Sequence, residues 1–84
     1  MSYTKENIPK ELIDAARLIS EDKLKKAEPI LRDYLKNYPL DVNAMKLLGD
    51  IGVKFRAYKD AGYLFSRALD LSPDYDEARL SYAN

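Results

Sequence analysis

Apolar residues fall along this chain at helical intervals. Leu12, Ala15, Ala16, Leu18 and Ile19 recur every three or four positions, which predicts a helix from about Pro9 to Ser20. Pro9 suits its first turn, where a backbone N–H has no helical acceptor in any case. Ser20 or Asp22 is expected to cap a second helix running to about Asn37. Pro29 interrupts that pattern, and its missing donor predicts a kink or a late start. Asp41 is the expected N-cap of a third helix, Val42 to about Phe55. A fourth is expected from about Tyr58 to Leu71, where Ser72-Pro73 stops it, and a fifth begins near Asp74.

The same positions recur over a longer distance. The step from Pro39 to Pro73 also carries Leu24 to Tyr58, Ala27 to Ala61, Leu31 to Phe65, Tyr34 to Ala68 and Leu35 to Leu69. Ala15, Gly49 and Ala83 continue the register in small residues. Small and large apolar types recurring together are far stronger evidence of a repeat than one proline pair, because prolines end many helices.

Within 42–75 the chain reads Met45-x2-Leu48-Gly49-x2-Gly52, then Ala61-x3-Phe65, then Pro73, with Tyr58 and Ala68 between and beyond. This resembles the tetratricopeptide repeat, a 34-residue helix-turn-helix unit with the pattern W-x2-L-G-x2-Y, A-x3-F, P. Residues 8–41 match the second half of the pattern through Ala27, Leu31, Tyr34 and Pro39, but carry Glu11 and Asp14 where large apolar residues belong. A terminal unit whose outer face meets water is expected to depart in this way. Residues 76–84 resemble the opening of a third unit, with Ala78, Tyr82 and Ala83 in register with Ala44, Leu48 and Gly49. The resemblance implies an all-α, single-domain fold: antiparallel helix-turn-helix repeats in a short right-handed solenoid of about five helices. Gly49 is then the small residue that lets paired helices approach, whereas Gly52 stands where the family has a large aromatic residue.

Composition removes most alternatives to a binding scaffold. The 84 residues suffice for one small domain. Fourteen Lys and Arg balance fourteen Asp and Glu, so no net field favours nucleic acid or an anionic bilayer, and neither partner is expected. Cysteine and histidine are absent, which excludes disulfides, thiolate nucleophiles, Cys/His zinc sites and an imidazole base. No apolar run approaches the length of a membrane span, and Met1 to Asn7 is polar where a signal peptide has an apolar core. A cytoplasmic location is the default expectation.

Candidate chemistry is sparse. Asp70, Asp74 and Asp76 lack the glycine and terminal glutamate of a calcium loop, and with Glu21 and Asp22 they read as helix caps and first-turn acids. Gly49, Gly52 and Gly62 lie in helical patterns without the Gly-Lys-Ser/Thr of a phosphate loop. Lys23, Lys25 and Lys26 are flanked by Asp22 and Glu28 and read as a solvated helix start. The seven tyrosines read mainly as core or repeat-junction residues. No catalysis, cofactor or metal is expected in this chain.

The resemblance implies that the first helix of each repeat lines a concave surface that receives a protein or peptide. On the third helix, Asn43, Lys46 or Leu47, Asp50 and Lys54 share one face. The same offsets add Leu12, Ala16 and Ile19 from the first helix and Glu77, Leu80, Ser81 and Asn84 from the fifth. Leu12 and Ala16 stand where chaperone-binding members carry the Lys and Asn of a carboxylate clamp, so a hydrophobic or mixed segment is the expected ligand. Because arrays bury each unit against the next, the incomplete third unit leads to two expectations: a fragment of a longer protein, or self-association through that end. Val42 to Asn84 also resembles, less specifically, the repeat region preceding the catalytic domain of bacterial sulfotransferase-like proteins, through Asn43-Ala44, Leu47-Leu48-Gly49, Arg67 to Pro73 and Ala78-Arg79. That resemblance implies an accessory domain of a larger enzyme.

Overall fold

Four helices carry the described residues, 8–74, of the computed structural model: α1, Lys10–Ser20; α2, Leu24–Asn37; α3, Val42–Lys54; and α4, Tyr58–Leu71. No strand occurs among them. The expected fifth helix, with the third unit at 76–84, lies outside the described residues. Helix α1 packs on α2 and α3 on α4, so the chain forms two hairpins. They are joined through α2 against α3, with a smaller contact of α1 on α3.

The spacing seen in sequence reappears in the backbone. Glu21 ends α1 at φ −88°, ψ 6°, and Phe55 ends α3 at φ −86°, ψ 0°. Asp22 and Arg56 follow, each at φ 61°. Lys23 and Ala57 then open α2 and α4 at φ −96°, ψ 60° and φ −86°, ψ 67°. The hydrogen bonds match as well: Lys23 N donates to the Leu18 carbonyl at 2.8 Å, and Ala57 N to the Gly52 carbonyl at 2.7 Å. The members of each pair are separated by the same step as Pro39 and Pro73, and α2 and α4 begin and end in the same register.

This turn corrects one expectation. Neither Ser20 nor Asp22 caps α2: the Ser20 hydroxyl donates to the Arg17 carbonyl at 2.7 Å, and the N-cap Lys23 makes no side-chain cap bond. The reason is the left-handed residue, which turns the chain directly from one helix into the next and places the cap position after Asp22. Asp tolerates that conformation better than most residues, and a long basic side chain gains nothing from it. Arg56→Gly is therefore expected to raise stability by about 1 kcal/mol, seen as a melting temperature higher by roughly 5 °C. An unchanged or lower value would show that the Arg56 side chain compensates its backbone.

Pro29 does not delay α2, which already starts at Leu24 and runs unbroken through it. Its ring is exposed. Asp41 caps α3 as expected, its Oδ1 accepting from Asn43 N at 3.0 Å and Ala44 N at 3.1 Å.

Leu12, Ala15, Leu24, Ala27, Leu31 and Tyr34 from the first hairpin and Ala44, Leu48 and Ile51 from α3 form one buried cluster. Val42, Met45 and Ala68 form a second cluster, with Leu35, Leu64 and Leu69 packed on it. The interior of α3 thus belongs to both hairpins, which explains why its buried residues surround much of the helix. The outer face of α1 differs. Where α3 places Leu48, Ile51 and Phe55, the equivalent positions of α1 are Asp14, Arg17 and Glu21. Arg17 lies 4.0 Å from Asp14 and 3.6 Å from Glu21. The departure from the repeat pattern there is a charged, solvated face.

A candidate partner-binding face on α1 and α3

The residues expected to line a concave surface are not all accessible. Leu12 is only 3% exposed and belongs to the first core cluster, so it offers a partner almost nothing. Its assignment rests on being one repeat before Lys46, but register transfers a location on a helix without transferring its exposure. Ala16 is exposed, and Ile19 is half-buried against the same cluster. On α3, Asn43 is half-buried, Leu47 packs on the first cluster and Lys54 is exposed. Glu77, Leu80, Ser81 and Asn84 lie outside the described residues.

Lys46 and Asp50 define the middle of this face. Their charged atoms are 2.7 Å apart, one helical turn from each other, and the side chains are only 20% and 24% exposed. The other ion pairs are more exposed: Lys36 with Asp33, for example, leaves both side chains at 78%. Partial burial makes the Lys46–Asp50 pair more than a surface contact, since it is less screened and each charge depends on the other for compensation. The pair is neutral overall; of the other residues expected on this face, Ala16 is exposed and Ile19 and Leu47 are partly covered.

Among the described residues, no three His, Cys, Asp or Glu side chains come together in a way that holds a metal, and no helix is long and apolar enough to cross a membrane. No family model, no characterised protein and no solved structure matches the chain.

A second surface is not legible in the sequence. An open hollow of about 390 Å³ lies between the two hairpin turns, lined by residues 22–26 on one side and Phe55 on the other. Periodicity places Phe55 at the end of α3, but says nothing of which turn it meets across the hairpins. The one available signal is its equivalence to Glu21, an aromatic ring standing where the first hairpin has a carboxylate.

Proposed function

We propose that this chain is a tetratricopeptide-type scaffold whose α1–α3 face binds a peptide or a segment of a partner protein. The observation that carries the reading is the recurrence, one repeat apart, of the helix end, left-handed residue and helix start at 21–23 and 55–57. A helical hairpin repeated with the same turn stacks by translation and rotation, and that operation produces a continuous inner surface from its first helices. The neutral Lys46–Asp50 pair and exposed Ala16 favour a hydrophobic or mixed ligand over an acidic tail.

The test is a peptide-array screen with the full chain, followed by variants of the face. Exchanging the charges, Lys46→Asp with Asp50→Lys, keeps an ion pair and should preserve the fold while reversing the pattern a ligand meets. Ala16→Arg fills the face without entering the core. Selected peptides are expected to lose about tenfold or more in affinity to each variant. Peptides that bind both variants as well as the parent would place the binding surface elsewhere on the molecule.

A further inference from the structure

Cations are distributed unevenly over this neutral chain. Away from the hairpin turns, Arg17, Arg32, Lys36 and Lys46 each have a carboxylate within 4.0 Å, while Lys10 and Arg67, far apart in the chain, have no ion pair among the described residues. Around the two hairpin turns, in 21–26 and 54–60, six Lys and Arg stand against three acids. There, Lys25, Lys26, Lys54, Arg56 and Lys59 have no ion pair among the described residues, and Lys23 alone is paired, with Glu21 at 3.2 Å. All are exposed.

These cations surround an apolar feature. Phe55 is 43% exposed and forms one wall of the hollow opposite Lys23, Lys25 and Lys26, with Leu24, 8% exposed, at its side. Lys54 and Arg56 flank Phe55 in the chain, and Tyr58 and Lys59 begin α4 beside it. Keeping uncompensated like charges together opposes folding, and this arrangement gains most when an anionic partner arrives.

We infer that the hairpin-turn end is a second docking surface, distinct from the α1–α3 face, for an acidic peptide segment that carries an apolar side chain. The local surplus of three positive charges matches two or three Asp or Glu residues, and the hollow beside Phe55 receives the apolar group. A nucleic acid fits less well. Glu21, Asp22 and Asp60 lie among the cations and repel a continuous phosphate backbone, whose affinity comes from many phosphate contacts in series.

The experiment uses the full chain and a fluorescein-labelled peptide of alternating Glu and Leu. Its Gln-for-Glu counterpart and a single-stranded oligonucleotide of similar charge serve as comparisons, read by fluorescence anisotropy at low and physiological salt. The acidic peptide is expected to bind saturably, weaken as salt rises and exceed the Gln peptide by about tenfold. Lys25→Glu with Lys26→Glu should lower its affinity by about tenfold, and so should Phe55→Ala, while Ala16→Arg on the other face should not. Circular dichroism on each variant separates lost binding from lost folding. Should the fold of Lys25→Glu/Lys26→Glu fail, Arg56→Glu with Lys59→Glu carries the same charge test on the other hairpin, away from the α1–α3 face. The inference is overturned if no saturable binding occurs, if the Gln peptide binds equally, if Phe55→Ala or the folded charge-reversed variants bind as the parent does, or if the oligonucleotide is preferred. Loss of binding in Ala16→Arg would instead assign the peptide to the α1–α3 face.

Discussion

Gly49→Ala should destabilise the protein by about 2 kcal/mol, although alanine is the better helix former. A Cβ at position 49 would stand 2.5 Å from Cε1 of Phe65, 2.8 Å from Cζ and 2.9 Å from Cδ1. Three ring atoms of one rigid side chain lie inside contact distance, so the ring as a whole must shift, and Phe65 is a core residue at 1% exposure. Overpacking of this kind costs about 1–3 kcal/mol, and here its upper range is offset by about 1 kcal/mol of helix propensity. The first hairpin shows how the same site is built with different volumes: the equivalents of Gly49 and Phe65 are Ala15 and Leu31, both fully buried. Gly49→Ala combined with Phe65→Leu copies that solution. The pair should therefore be more stable than the sum of the single changes by about 1–2 kcal/mol, measured as a double-mutant cycle in urea. Gly52→Ala is the internal comparison: its added Cβ meets that of Ala61 at 3.2 Å and its other neighbours at 3.5 Å, so the change should stay within about 1 kcal/mol. Additive effects at 49 and 65 would mean that the ring does not rest against the glycine in solution.

The contrast between these glycines shows what can be read from the chain and what cannot. Gly49 is intelligible from sequence because its register partner Ala15 is also small and its helix pairs with another apolar stripe. Gly52 is not, since its equivalent is Leu18 and nothing in the pattern says that α4 approaches within van der Waals contact of it; the structure supplies Ala61 as the reason. The helices themselves are legible, with α4 matching its expected bounds and α1 and α3 within a residue, because apolar spacing and proline stops act locally. The turns are less so. A left-handed residue is usually announced by glycine, and here Asp22 and Arg56 occupy the position, so sequence points to the nearest polar residues for the cap of α2. On the candidate face, the pairing of Lys46 with Asp50 follows from their one-turn spacing, whereas the burial of Leu12 depends on what α2 and α3 place over it. Juxtapositions of elements distant in sequence, such as Phe55 across the hollow from residues 22–26, leave no periodic trace at all.

Asp41→Ala should cost about 2–3 kcal/mol, more than the loss of an ordinary helix cap, because Asp41 joins two helices. One carboxylate oxygen accepts from the first-turn amides of Asn43 and Ala44, satisfying donors that have no acceptor inside α3. The other accepts from the Tyr34 hydroxyl at 2.8 Å. Tyr34 is a buried member of the first core cluster, near the end of α2, with its ring 4.8 Å from that of Tyr38. The alanine variant therefore loses a cap worth about 1 kcal/mol and a charge-assisted bond worth about 1.5–3 kcal/mol, partly replaced by water at a half-exposed site. Asp41→Asn separates geometry from charge: its oxygen can still cap α3, and its amide can donate to the Tyr34 oxygen, so most of the stability should return. Tyr34→Phe removes the hydroxyl that makes this link and should cost about 1 kcal/mol. Because Tyr34 and Asp41 lie on opposite sides of the α2–α3 connection, their double-mutant coupling measures how firmly the two hairpins are held in register. A coupling near zero would leave Asp41 as a local cap and transfer that role to the packing of Leu35 on the cluster of Val42, Met45 and Ala68.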